Sequence, residues 1–210
     1  MYVPTTLAQP AGALAPVGIV STVPPIGDPL RTAMSVRASE LNVLDGHEAT
    51  VSGTLRPGSA GRVVLLQALE NHRWRTLAHA RTRSTGRFRL RYRTHQTGSE
   101  QVRLRFAGDL FDRDANHRLG SLNVYRLAEA SWYGGGGSLA CGGSLTSSTM
   151  GVANKTLPCG TLVTLRYGGH SVRVPVVDRG PYVAGREFDL TEATKQALGF
   201  GSTGEVWSSR

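Results

Sequence analysis

No stretch of 18 consecutive apolar residues occurs in this 210-residue chain, so it holds no segment with the composition of a membrane-spanning helix. Cysteine is scarce. Two residues, Cys141 and Cys159, exclude a disulfide-dense miniprotein, and without a CxxC and a second ligand pair they do not point to structural zinc, although one bridge stays open. The six histidines (His47, His72, His79, His95, His117 and His170) are scattered with no HxxxH pair, so no metal site is expected. The glycine run Gly134 to Gly137 is not followed by Gly-Lys-Ser or Gly-Lys-Thr, which excludes a phosphate loop. No nucleophile elbow surrounds a serine that might join His170 and Asp178. No cofactor is expected. What the chain does contain is 40% hydrophobic residues, 26 Gly and 10 Pro, enough for one or two small packed domains and too apolar for a wholly disordered chain.

Acidic residues are also in short supply, 15 against 24 basic, for a net charge of +9. The excess is local. Residues 1–36 hold one of each sign, residues 37–127 hold 16 basic and 8 acidic, and residues 128–210 hold 7 and 6, so the middle segment carries +8. Residues 1–36 combine Pro4, Pro10, Pro16, Pro24, Pro25 and Pro29 with Ala, Gly and Thr and show no useful period, which predicts a disordered tail. The first basic residue is Arg31, and Gly12, Pro16 and Gly18 interrupt the apolar stretch, so a signal peptide is not evident in the recorded start.

Residues 37–127 read as short strands between turn residues: 49–55, 61–69, 73–82, 87–93, 101–108 and 121–127. That spacing predicts an immunoglobulin-like β-sandwich. Alternation is clearest from Arg87 to Arg93, where Phe88, Leu90 and Tyr92 should face the core while Arg87, Arg89, Arg91 and Arg93 line the outside. Arg81, Arg83, Arg103 and Arg105 repeat the spacing of two, so a basic sheet face is expected. A solvated surface that resists edge pairing explains such a face, and a polyanion-binding footprint is the functional alternative. No recognition helix, RNP-like motif or zinc finger accompanies it, so nucleic acid is not an expected partner; for an exported protein, the anionic polymers of the wall are nearer candidates.

From Ala130 onward charge is balanced and a new strand series begins. Residues 161–167, a Gly168-Gly169 turn and residues 171–177 make a hairpin, with Pro175 expected at an edge or irregularity. Thr191 to Leu198 suits a short helix capped by Thr191 or Asp189 and stopped by Gly199. A small closed β-barrel with one helix follows for residues 128–210.

The segments Ala130-Ser131-Trp132-Tyr133-Gly134, Gly151 through Gly160, Val176 through Tyr182 and Phe188-Asp189-Leu190 resemble the rare lipoprotein A (RlpA) family over about 80 residues. The resemblance implies a six-stranded double-psi β-barrel related to expansins. It also implies an exported, extracellular or wall-associated protein acting on peptidoglycan or another wall polysaccharide. It brings Cys141 and Cys159 close, so a bridge and an oxidising compartment are expected, with two buried free thiols as the alternative. A bridge would contribute roughly 3 kcal/mol.

Catalytic members of the family are similar to lytic transglycosylases, whose chemistry needs a proton donor, a base and stabilisation of an oxocarbenium-like centre. Asp178 matches the family acid and is the candidate catalytic residue. The alternative for Asp178 is a turn-shaping carboxylate, and for Asp189 a helix cap. The resemblance assigns Trp132, Tyr133, Asn154, Tyr182 and Asp189 to a glycan-binding groove, with core packing as the alternative for Trp132. Two positions depart from the family: Gly143 stands where catalytic members carry Glu, and Asn154 where they carry His. Glu187 and Glu192 are the other acids nearby in sequence. The sequence therefore supports a lytic transglycosylase-type activity if the chain is catalytic, and a non-catalytic, expansin-like glycan-binding module as the alternative.

Overall fold

The computed structural model describes residues 28–210, and the greater part of the expected tail lies outside the described residues. The first strand, β1 (Ala33–Glu40), begins inside the segment expected to be disordered. Its apolar alternation is short, with only Met34 and Val36 turned toward the sandwich core, and the strand is held by antiparallel pairing to β3 (Glu48–Arg56). The short β2 (Asn42–Leu44) was also unforeseen.

Strands β1, β3 and β6 (Arg87–Arg93) form one sheet. Facing it, β5 (Arg73–Arg81), β4 (Val63–Glu70), β7 (Gly98–Phe106), β8 (Ala115–Tyr133) and β2 pair in that order. Between the sheets lies one cluster of buried residues including Val51, Leu55, Leu66, Phe88, Leu90 and Leu104. The period of two in β6 sends Phe88 and Leu90 inward, with Tyr92 half-buried, and leaves all four of its arginines exposed. This is a two-sheet sandwich.

A second cluster, from Ala128 to Val206, fills the other unit. No break in the chain separates the two. Strand β8 runs for 19 residues, pairing with β7 as far as Val124 and with β15 (Thr203–Ser208) from Arg126 onward. The Tyr125 and Trp207 rings lie 5.8 Å apart where the partner changes, and Ser99 and Thr164 share a hydroxyl hydrogen bond of 3.0 Å across the junction.

Around the second cluster, β8, β14 (Phe188–Thr191), β11 (Val152–Ala153), β13 (His170–Asp178), β12 (Leu162–Tyr167) and β15 pair in sequence and return to β8. The ring of six closes with two parallel pairs, β8 with β14 and β11 with β13. Two short strands, β9 (Gly137–Ser138) and β10 (Ser144–Leu145), lie outside it as a separate pair. Full burial of Phe188, Leu190 and Leu198 contributes about 1.5–3 kcal/mol each.

The hairpin β12–β13 turns at Gly168 and Gly169, both at positive φ as a two-residue primed turn requires. Pro175 lies opposite Leu162, one residue before pairing with β11 starts at Val176 through an irregular register, where its missing N–H interrupts no bridge to β11. Helix α1 (Glu192–Leu198) has Thr191 at its N-cap position and stops at left-handed Gly199. Asp189 lies within β14 and does not cap the helix.

Candidate functional site

Core-facing residues of β8 and β14, such as Ala130, Phe188 and Leu190, alternate with residues that point out of the barrel. In register, Ser131 stands beside Asp189, Asp189 beside Ala153 on β11, and Ala153 beside Asp178 at the end of β13. Pairing across four strands thus gathers Ser131, Asp189 and Asp178 on one row, with Tyr133 two residues beyond Ser131. Local sequence separates these residues by up to 58 positions; closure of the ring brings them together.

Asp178 Oδ1 accepts backbone N–H bonds from Ala140 and Arg179, both at 2.8 Å, and its carbonyl accepts the Asn154 N–H at 3.1 Å. Its Oδ2 has no hydrogen-bond partner among the described residues, so one oxygen is fixed and the other is free for a ligand. Asp189 Oδ1 accepts the Ser131 hydroxyl, and Arg186 Nη1 donates to Ser131 Oγ at 3.2 Å. The Tyr133 hydroxyl is buried without a hydrogen-bond partner. Its pKa is pushed well above the ordinary tyrosine value, by burial first, then by the negative charge of Asp178 and by hydrogen bonding toward that carboxylate, with the charge of Asp189 adding to it. The hydroxyl therefore lies within interaction range of the Asp178 carboxylate, in a geometry outside the normal hydrogen-bond range.

The loop bearing Ala140 is held in place by the Cys141–Cys159 disulfide, with Cα atoms 5.6 Å apart, so the expected bridge is present. The Cys141 N–H also donates to Val177 O at 3.1 Å. Arg179 braces the opposite loop, donating to Asn154 O at 3.1 Å and Leu157 O at 2.8 Å. Gly143 adopts φ +82° with nothing within 4 Å of an added Cβ, so its site has room for a side chain but a backbone that disfavours one.

Three expected site residues, Asn154, Trp132 and Tyr182, and the nearby acid Glu187 are placed differently from Asp178, Asp189 and Tyr133. Asn154 is 4% exposed. Its Oδ1 accepts the Thr156 and Leu157 N–H groups at 3.0 and 2.8 Å, and its Nδ2 donates to Glu187 O at 3.1 Å. It holds a turn rather than presenting an amide to a sugar, because every polar atom of its side chain is already engaged. Trp132 is 37% exposed, but Lys195 Nζ sits 3.8 Å from its ring centroid and occupies one face. Tyr182 follows the cis Gly180–Pro181 peptide and is 82% exposed. Glu187 is taken up by a two-pronged pair with Arg126.

The four arginines of β6 stand opposite Thr54, Ser52, Thr50 and Glu48 of β3, and Arg91 lies 3.6 Å from Glu48. Arg103 and Arg105 are on β7, in the opposing sheet, so the arginines expected to make one basic face occupy two. Sequence reasoning missed Ser131 and Arg186. The spacing of two between Ser131 and Tyr133, out of phase with buried Ala130, was the available signal for Ser131. Among the described residues, no group of three or more His, Cys, Asp and Glu side chains is placed to hold a metal, and no helix is long and apolar enough to cross a membrane.

The pattern of a six-stranded ring, the bridged loop and an Asp-Arg-Gly-Pro turn coincides with a family model described as "Lytic transglycolase", which matches residues 127–207. Over those residues the barrel is similar to the RlpA proteins. Similar proteins include the probable endolytic peptidoglycan transglycosylase RlpA of Aquifex aeolicus, 42% identical over 80 residues, covering 36% of this chain and 35% of that protein. The RlpA proteins of Neisseria meningitidis and Pseudomonas aeruginosa are 40% identical over 84 residues and 39% identical over 87. They are covered to 35% and 26% of their lengths, and 38% and 39% of this chain is matched. The chain thus spans about a third or less of the length of these RlpA relatives. Among solved structures, Streptomyces papain inhibitor is 25% identical, with 40% of this chain and 91% of that chain covered at a TM-score of 0.33, too loose a likeness to carry an argument.

Proposed function

We propose that the RlpA-like barrel binds the glycan strands of peptidoglycan through the face formed by Tyr133, Asp178 and Asp189, with Tyr182 at its rim, in an exported, wall-associated protein. The observation that carries this reading is unspent hydrogen-bonding capacity at Asp178: Oδ1 is fixed by two backbone N–H groups, Oδ2 has no hydrogen-bond partner among the described residues, and the Tyr133 phenol packs behind the carboxylate. Buried polar groups are normally satisfied, and sugar hydroxyls, which both donate and accept, complement a phenol and a carboxylate together. The names of the relatives support peptidoglycan as the polymer. The preceding sandwich, read as immunoglobulin-like, spaces or attaches the barrel, and the exposed arginines of β6 add general attraction to anionic wall polymers.

Binding without efficient cleavage fits the residues best. Gly143 supplies no acid, and Asn154 can neither shuttle a proton nor reach a ligand. Lytic transglycosylase chemistry is the second reading, favoured by the free Oδ2 of Asp178 as sole donor and base. Incubation with purified peptidoglycan, followed by pelleting and mass spectrometry of soluble fragments, separates the two. The expected result is bound protein, no 1,6-anhydro ends, and pelleting weakened about tenfold in Asp178→Asn or Tyr133→Phe, as loss of a hydrogen bond to a charged or buried group implies. Anhydro products from the wild type that vanish in Asp178→Asn would establish the lytic reading; absence of both binding and products would overturn the function altogether.

A further inference from the structure

On the outer face of the larger sandwich sheet, Arg103 of β7 stands directly opposite Arg118 of β8, and Arg105 lies two residues along the same strand and face. Like charges placed opposite each other in a sheet are destabilising. None of the three arginines belongs to an ion pair among the described residues. Nor are they loose. The Arg103 guanidinium lies over the Trp74 ring at 4.0 Å and donates through Nε to Gln67 Oε1 at 3.0 Å, while the Gln67 amide is itself anchored on Thr76 Oγ1 at 3.2 Å. Gln67 is buried, so a core-grade amide is committed to orienting one guanidinium. Partial burial, then the charges of Arg105 and Arg118, hold Arg103 below the usual arginine pKa. Gln67 and Trp74 hold the Arg103 guanidinium on the side of β7 away from Arg118, so one of three unpaired arginines on this face is fixed in place rather than free to seek a partner.

We propose that Arg103, Arg105 and Arg118 form a binding site for an extended phosphodiester polymer of the polyol-phosphate type. Guanidinium forks donate two parallel N–H bonds to phosphate oxygens. A polymer with its charges in the backbone can lie along a flat sheet face, whereas polypeptide carboxylates stand off on side chains. Nucleic acid fits less well, because one face of Trp74, the aromatic ring at this cluster, is already taken by Arg103 and a single ring does not make a run of stacking platforms for successive bases. The β6 arginines on the other sheet lack such clamping and supply attraction without an oriented site. The proposal rests on the cell-wall reading only for the source of the polymer.

The test measures binding of the full chain to labelled poly(glycerol phosphate), to a single-stranded oligonucleotide of equal charge and to poly-γ-glutamate of equal charge, across a salt series. Poly(glycerol phosphate) should bind most tightly. Arg103→Gln combined with Arg118→Gln should weaken it at least about tenfold and lower the log–log salt slope by about one per arginine removed. Arg89→Gln combined with Arg91→Gln removes equal charge from β6 and should cost distinctly less. Arg118→Gln alone, which loses no hydrogen-bond or ion-pair partner among the described residues and relieves the repulsion with Arg103, should weaken binding with a melting temperature that does not fall. Pelleting with peptidoglycan stripped of anionic polymer should be unaffected by any of these changes, so failure here is distinct from failure of the barrel reading. Equal losses from the two faces, equal affinity for poly-γ-glutamate, tighter binding to the oligonucleotide or no binding at all would each overturn the proposal.

Discussion

Replacing Asn154 with alanine separates two roles for one residue, orienting a sugar or holding a turn. The structure uses Asn154 to close the 154–157 turn through two N–H bonds to its Oδ1 and to tie that turn to the entry of β14 through Glu187 O. The same turn carries the carbonyls of Asn154 and Leu157 that Arg179 grips, and Arg179 follows Asp178. At about 0.5–1.5 kcal/mol net for each of three hydrogen bonds, Asn154→Ala should cost about 2–4 kcal/mol. Exposure of Thr156 lets water replace one of those bonds, which favours the lower half of that range. For a chain of this size the melting temperature should fall by about 5–15 °C. Asn154→Asp keeps the Oδ1 acceptor and loses only the donor to Glu187 O, so it should cost about 1–2 kcal/mol. Circular dichroism melts give the stability, and peptidoglycan pelleting well below the melting transition gives the binding. A melting temperature unchanged by Asn154→Ala, with pelleting reduced tenfold, would refute the assignment and return Asn154 to the glycan.

Cys141→Ser combined with Cys159→Ser opens a loop spanning 18 positions and should cost about 3 kcal/mol in the chain-entropy model, read as a lower melting temperature that wild type reproduces only in reductant. A variant that melts with oxidised wild type would show that the bridge does not constrain the unfolded chain. Tyr133 should remain protonated in the folded protein at pH values where ordinary tyrosines ionise. Because its folded pKa exceeds the unfolded one, the associated stability is fully present below about pH 10 and is lost as pH rises toward the folded value. Asp178→Asn should draw the phenolic titration partly back toward the ordinary value, partly because burial is the larger cause. A Tyr133 transition at the ordinary pH, followed by absorbance against Tyr133→Phe, would contradict the buried site.

Much of the fold was legible because side-chain periodicity is a local property. The alternation of β6 put Phe88 and Leu90 inside and its four arginines outside before any partner strand was known. Gly168-Gly169 and Gly199 marked a primed turn and a helix stop because both positions need positive φ. Motif order named the barrel. Strand β1 escaped because its alternation is confined to Met34 and Val36 at the end of a proline-rich segment, too short a period to read before pairing with β3 is known.

The site was less legible, for a reason that Asn154 and Tyr133 illustrate. Residue type and motif position marked both as contacts for a sugar, yet one spends its amide on neighbouring backbone while the other keeps a buried hydroxyl unspent beside Asp178. Which of these occurs depends on what the folded chain places within about 3 Å, and hydrogen bonding decays over that distance. The arginines make the same point. Spacing of two told which side of its own strand each would take, but sheet assignment divided them between opposite faces and set Arg103 against Arg118. The sequence by itself determined inside from outside along each strand, the turns and the family of the barrel. Tertiary structure decided which strands became neighbours, and therefore which charges, hydroxyls and rings met, because those pairings join residues that no local period connects.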